Sequence, residues 1–168
     1  MTVAVYPGTF DPVHFGHVDI VKRAAELFEC LTVGIYDRPQ KRLMFTAAER
    51  VEMVQQAVDD IAGVRVACYS GLTVDFVRAQ GASVIVRGLR AIVDFELEYQ
   101  MALTNRRLAP ELDVVCLMTS VDYAFLSSTI VKDVALAGGR VDQFVPAHVQ
   151  ERLARRVSQL GSCSSSSE

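Results

Sequence analysis

No stretch of this chain is both long enough and free enough of charge to span a membrane. Yet 51% of its 168 residues are hydrophobic, an apolar content that buried contacts between subunits would explain. Charge imbalance is also scarce. Seventeen Lys and Arg against 20 Asp and Glu leave a net charge of −3, which argues against a protein-wide attraction to nucleic acid and means that any anion site must be built locally. Cys30, Cys68, Cys116 and Cys163 lack metal-type spacing. The first three fall in or beside apolar segments and read as reduced core thiols. The N-terminus shows neither a charged n-region nor a leader-like apolar region, so the expected compartment is the cytoplasm. A chain of this size has room for one domain, burying about two-thirds of its unfolded surface in one core.

What is present is an alternation of short β-prone runs and helical periodicities. Thr2 to Tyr6, Leu31 to Tyr36, Val64 to Tyr69, Ala82 to Val86 and Asp113 to Met118 read as strands. Between them, Val18, Ile20, Val21, Ala24, Ala25, Leu27 and Phe28 repeat at helical spacing, and Thr46-x-x-Glu49 is a capping box opening a helix through about Ile61. Thr73 reads as the cap of a short helix ending before Gly81, and Ser127 or Ser128 as the cap of one through Ala137, ended by Gly138-Gly139. Pro146 fits the first turn of a final helix. From Asp94 to Leu108, apolar residues surround much of the helical circumference. That predicts a helix packed on both the sheet and a neighbouring subunit. The expected architecture is a single-domain, Rossmann-like α/β fold over residues 1–160, its five-stranded parallel sheet flanked by helices, with a disordered Ser-rich tail at 161–168.

The loop Tyr6-Pro-Gly-Thr-Phe-Asp-Pro-Val-His-Phe-Gly-His17 joins the first strand to the first helix. Unpaired N–H groups and the positive end of a helix dipole favour anions at such a junction. His14 and His17 add donors three residues apart, expected on one helical face. Gly8 is expected to supply a turn that side chains forbid, and Gly16 a close backbone approach. A partial metal site at the two histidines lacks further Cys or His ligands, with Asp11 a poor third. Capping alone accounts for Thr9 or Asp11 but not for two histidines.

In a parallel sheet, ligands bind outside the carboxyl ends of the strands. That rim would collect Thr9, His14 and His17, then Lys41, Thr73, Arg87 and Arg90, and finally Ser127, Ser128 and Thr129. Lysine supplies a compact charge, arginine a fork matched to phosphate oxygens, and a serine-rich helix start supplies hydroxyl and N–H donors. Taken singly, Lys41 reads as a solvated loop cation, Glu98 as a solvated carboxylate, and Arg87 and Arg90 as partners of Asp94 or Glu96.

Pro7-Gly-Thr-Phe-Asp-Pro12 with His14-x-Gly-His17 resembles the signature of the nucleotidylyltransferase superfamily. With Lys41-Arg-Leu-Met-Phe45, Arg87-Gly-Leu-Arg-Ala-Ile-Val-Asp-Phe-Glu96 and Phe125-Leu-Ser-Ser-Thr-Ile-Val-Lys132, the ordered set resembles bacterial phosphopantetheine adenylyltransferase over about residues 1–160. The resemblance implies transfer of the ATP adenylyl group to 4′-phosphopantetheine, giving dephospho-coenzyme A and pyrophosphate. It implies that Thr9, Lys41, Thr73 and Arg87 bind phosphopantetheine. It assigns ATP to Thr9, Phe10, His17, Gly88, Leu89, Arg90, Glu98, Tyr123, Ala124, Phe125, Leu126, Ser127, Ser128 and Thr129. Where that family more often carries Trp and Ser, this chain has Tyr123 and Ala124.

The expected catalytic residues are His17 on the α-phosphate, Lys41 on the incoming phosphate and Arg90 on the β and γ phosphates, with Mg²⁺ arriving on ATP. The resemblance also implies a homohexamer and feedback inhibition by coenzyme A. Alternatives are a nicotinate or nicotinamide mononucleotide adenylyltransferase and a non-enzymatic nucleotide-binding module. A tRNA synthetase with a similar loop would need additional domains.

Overall fold

The computed structural model describes residues 2–39, 43–90 and 92–164. Five parallel strands form one sheet in the order β3-β2-β1-β4-β5: β1 Val3–Gly8, β2 Cys30–Tyr36, β3 Val64–Tyr69, β4 Val84–Leu89 and β5 Asp113–Met118. The connecting helices are α1 Phe15–Leu27, α2 Ala47–Val58, α3 Thr73–Ala79, α4 Ile92–Leu108, α5 Ser128–Leu136 and α6 Ala147–Ser164, with a 3₁₀ turn at Val121–Tyr123. The expected α/β architecture is the observed one.

Side-chain alternation along the strands divides the core between the two faces of the sheet. Ala4, Tyr6, Leu31, Val33, Ile35 and Val86 face one layer with α1, α2, α5 and α6. Val5 and Ile85 face the other, with Val74, Phe76 and Val77 of α3 and with Ala109 and Leu112 beyond α4.

The sheet opens at its centre. β1 pairs with β2 along six positions from Val3↔Cys30 to Gly8↔Ile35, but with β4 only at Ala4↔Val84 and Val5↔Ile85. Successive connections run outward from β1 to β3, then return across β1 to β4. The strands on either side of this reversal diverge and leave a crevice. Pro7 has no N–H to offer a ladder, and its carbonyl instead accepts from Arg87 Nη1 at 2.8 Å.

Several local expectations shift. β4 extends to Leu89, so Arg87 lies within the strand rather than after it. Leu72 is the N-cap of α3, and Thr73 begins the helix with its hydroxyl 3.0 Å from that of Tyr69. α6 continues through Ser164, past the expected start of the tail at Gly161; residues 165–168 lie outside the described residues. Cys30, Cys68 and Cys116 are free thiols as expected, but Cys30 is only half-buried and the other two are exposed. The physical reason is that Cys68 and Cys116 occupy the edge strands β3 and β5, which have one neighbour each.

α4 carries exposed apolar side chains on two sides in this single chain, Leu97 and Met101 on the crevice and Phe95, Tyr99 and Leu103 away from it. Phe95, Leu97, Tyr99, Met101 and Leu103 are between 48% and 61% exposed. One copy of the chain therefore supplies only half of the packing that the sequence of α4 predicts.

Candidate active site

The crevice widens into a cavity of about 720 Å³ whose walls come from all five strand ends. Of the residues expected there, Thr9, Phe10, His14, His17, Thr73, Arg87, Gly88, Arg90, Glu98, Ser127, Ser128 and Thr129 line it. Lys41 lies outside the described residues. Leu89 and Leu126 are core side chains. Tyr123 and Phe125 pack beside Phe15 and Phe144, with ring centroids 6.2 and 5.8 Å apart, and Ala124 follows the 3₁₀ turn.

The two histidines stand on the same side at the start of α1, as their spacing predicts, but only His17 is within the helix. His14 is the N-cap of α1, with extended backbone, and His17 lies in the first turn. Their rings stack with centroids 3.6 Å apart. The His14 backbone N–H donates to His17 Nδ1 at 3.2 Å, which in the neutral ring puts the His17 proton on Nε2. Burial, aided by the nearby charge of Arg90, pushes the His14 pKa down to about 3. His14 is therefore an uncharged plate against which His17 is held.

Phe10 buttresses His17 from another side, centroid to centroid 4.8 Å, and meets Tyr6 edge-on at 5.4 Å. It is Phe10, not Gly8, that takes a positive φ, of 51°. Gly8 is needed for space: a methyl group there would lie 2.7 Å from the Phe10 ring. At Gly16 a methyl group would lie 3.1 Å from the His14 ring, so the close approach there is by a side chain of the protein itself.

The serine-rich start of α5 divides its work. Ser127 caps the helix by accepting from Ile130 N–H at 3.1 Å, and the Ser128 hydroxyl donates to the Pro12 carbonyl at 2.9 Å. The Ser127 hydroxyl keeps its proton while accepting, so the donors α5 offers the cavity are the Ser127 and Thr129 hydroxyls and the Ser128 and Thr129 N–H groups, at the positive end of the helix.

On the opposite wall, Arg87 Nε donates to Glu98 Oε2 at 2.6 Å and Nη2 to Oε1 at 2.5 Å. Burial opposes the Arg87 charge, but the bonds to Glu98 outweigh it and raise its pKa. Arg90 donates through Nε and Nη2 to Asp94 at 3.0 and 3.1 Å, and through Nη1 to the Leu126 carbonyl at 2.9 Å. The carboxylates on the cavity wall are thus each committed to an arginine. The far arm is lined by Tyr69, Leu72, Val74, Met101, Ala102 and Leu108, a mostly apolar channel with Thr73, Thr104 and Asn105 as polar points.

Two supporting side chains were not expected from the sequence. Arg50 is wholly buried, and its guanidinium donates to the carbonyls of Thr9 and Tyr36, both at 2.7 Å, and of Asp37 at 3.2 Å. Its sequence signal is its place with Met53, Val54 and Val58 on the buried stripe of α2. Asp11 accepts from Met44 and Phe45 N–H and from Lys132. Its signal is weaker, an acid between Phe10 and Pro12 with no apolar period to expose it.

Residues 5–134 match the cytidylyltransferase-like family. The chain is 55% identical over 156 residues to a phosphopantetheine adenylyltransferase of Heliobacterium modesticaldum, covering 93% of each chain. It is 51% identical over 160 residues to one of Thermomicrobium roseum, covering 94% of this chain and 96% of that one. With one of Alkaliphilus metalliredigens the identity is 46% over 156 residues, covering 93% and 99%. The chain belongs to the phosphopantetheine adenylyltransferases of the cytidylyltransferase-like family.

Proposed function

We propose that this chain transfers the adenylyl group of ATP to 4′-phosphopantetheine, releasing pyrophosphate and giving dephospho-coenzyme A, a step in coenzyme A synthesis. The observation that carries the reading is the continuity of one cavity, whose donor-rich end at His17, Ser128 and Thr129 runs into the apolar arm at Tyr69, Leu72 and Met101. A polyphosphate suits the first end, and a flexible, largely uncharged acceptor tail suits the second. A mononucleotide acceptor would leave the apolar arm unfilled.

The acceptor phosphate is anionic near neutral pH, so no general base is required. Its oxygen attacks the α-phosphorus in line, without a covalent enzyme intermediate. The bond from the α-phosphorus to the bridging oxygen breaks, and its electron pair leaves with pyrophosphate. The protein's task is to align two anions and stabilise the charge that develops. His17 donates from Nε2 to the α-phosphate, Lys41 bridges the incoming phosphate, and Arg90 holds the β and γ phosphates. Thr9, Thr73 and Arg87 complete the acceptor site with Lys41. Phe10, Gly88, Leu89, Glu98 and the segment from Tyr123 to Thr129 complete the nucleotide site.

Mg²⁺ belongs to this reading as part of the ATP complex. Magnesium needs hard oxygen ligands and keeps several waters. The wall carboxylates, Asp94 and Glu98, already hold arginines, a donor set that suits an ion carried mainly by phosphate oxygens and water.

Exposed Phe95, Tyr99 and Leu103 on α4 support a homo-oligomer, and the family resemblance implies a hexamer. Coenzyme A, which contains the pantetheine arm, would inhibit by competing for the apolar channel. Free thiols at Cys30, Cys68 and Cys116 suit a reducing cytoplasm, and among the described residues no helix is long and apolar enough to cross a membrane.

The test is pyrophosphate release from ATP and Mg²⁺ with 4′-phosphopantetheine, with nicotinate mononucleotide, and with no acceptor. Release with phosphopantetheine alone is expected. Release with the mononucleotide alone would move the assignment to that acceptor, and ATP binding without release under any condition would leave a binding module.

A further inference from the structure

Asp11 has no part in the transfer described above, yet it joins two segments that line the cavity, the His17 loop and the start of α5, to Met44 and Phe45 just before α2. It is 1% exposed. Its Oδ1 accepts from Phe45 N–H at 2.9 Å, and its Oδ2 accepts from Met44 N–H at 3.0 Å and from Lys132 Nζ at 2.8 Å. Ser128, one turn before Lys132 on α5, donates to the carbonyl of Pro12. Positions i and i+4 of α5 thus hold consecutive residues of the loop that carries His17. From the outer side, Arg156 of α6 donates to the Met44 carbonyl and lies 5.0 Å from the Phe45 ring centroid. Met44 and Phe45 are therefore gripped on both sides.

A carboxylate is a costly choice for this position. A buried ion is tolerated only when its lone pairs are satisfied and an opposite charge lies close. A fixed negative charge beside a loop built for phosphates also repels its ligand unless it is neutralised. An asparagine has a single acceptor oxygen and would lose part of the three-way junction.

We propose that Asp11 is a positioning residue for adenylyl transfer and that Lys132 is its required counter-cation. The pair fixes the spacing between the His17 loop and the N–H groups at the start of α5, and holds both against the start of α2. Misplacement of a reacting constellation by about 1 Å can cost on the order of 10²-fold in rate, so loss of the junction acts on turnover before it acts on binding. This inference rests on the adenylyl-transfer reading.

The test uses the full chain as Asp11→Asn, Lys132→Met and the double variant. It measures kcat and KM for ATP and 4′-phosphopantetheine, and amide hydrogen exchange at Met44 and Phe45. Asp11→Asn is expected to lower kcat at least about tenfold, to change either KM less than about threefold, and to speed exchange at both amides at least about tenfold. Lys132→Met leaves the carboxylate unneutralised and raises KM for ATP about fivefold or more. The double variant restores KM for ATP but keeps the kcat defect. A folded Asp11→Asn with kcat within about twofold of wild type overturns the proposal, as does a double variant whose KM defect persists. If Asp11→Asn does not fold, an unchanged KM for ATP in Lys132→Met overturns it alone. Wild-type protein that makes no dephospho-coenzyme A refutes the reading of function instead. In that case the exchange rates still report on the junction, and unchanged rates at Met44 and Phe45 overturn it whatever the acceptor.

Discussion

Arg87 and Glu98 bind each other by two parallel hydrogen bonds, 2.6 and 2.5 Å long, across the wall of the cavity. One residue sits in β4, beside the central strand β1, and the other on α4, so the pair ties the helix to the crevice. The family resemblance gives Arg87 to the acceptor and Glu98 to ATP, which makes the same bonds a competitor of both substrates. Glu98→Gln keeps an acceptor but removes the charge, and is expected to lower stability by about 1–3 kcal/mol, measured by denaturant unfolding. Arg87 is then held less tightly, so KM for phosphopantetheine is expected to fall. Unchanged stability would mean that solvent screens the pair.

For His17, the hydrogen bond from the His14 N–H fixes the donor at Nε2. A donor that acts on charge developing at the α-phosphate contributes to turnover more than to ground-state binding. His17→Ala is expected to lower kcat by about 10²-fold or more with ATP affinity changed less than about threefold. Weaker ATP binding with unchanged turnover at saturation would reject the transition-state role.

His14 gives the protein a pH-dependent stability. Its pKa falls from 6.5 to about 3 on folding, because burial and then Arg90 disfavour the cation. Above pH 6.5 the ring is neutral in both states. Below it the unfolded chain takes up a proton that the folded one refuses, so stability falls with pH by up to about 1.4 kcal/mol per unit. Between pH 6.5 and 5, before most carboxylates titrate, His14→Asn is expected to flatten the slope of unfolding free energy against pH. Parallel slopes for variant and wild type would remove His14 as the cause.

The apolar side chains of α4 that face away from the cavity predict assembly. Tyr99 and Leu103 are 55% and 54% exposed, and two glutamates there would each be desolvated in a packed interface. Wild type is expected to elute with the mass of an oligomer, six chains by the family resemblance, and Tyr99→Glu/Leu103→Glu with a smaller mass, both measured by light scattering. A monomeric wild type would leave the exposed apolar side without this explanation.

The strands and helices were legible because both periods are clean. Thr46 and Glu49 form the capping box that their spacing implies, with bonds in both directions. Parallel topology alone places Thr9, Thr73, Arg87, Arg90 and Ser127 to Thr129 on one rim, and Lys41 lies outside the described residues. Contacts between segments distant in sequence were not legible. Arg50 reaches Thr9 across 41 positions, and Asp11 reaches Lys132 across 121, and neither pairing has a local pattern. Sequence reasoning points to Gly8 for the special turn because glycine tolerates positive φ most readily. Packing of the Phe10 ring between Tyr6 and His17 overrides that preference. The ion-pair alternative for the two arginines holds for Arg90, which pairs with Asp94, but Arg87 pairs with Glu98, two residues past Glu96 on α4.

The most direct measurement follows the α-phosphorus. ATP carrying heavy oxygen on its non-bridging α-phosphoryl positions is incubated with Mg²⁺, 4′-phosphopantetheine and the protein, and the label is traced by mass spectrometry. The account predicts label in dephospho-coenzyme A, one pyrophosphate released for each product molecule, and none on the protein. Label retained covalently on the protein, or released only as AMP, would contradict direct transfer to the acceptor.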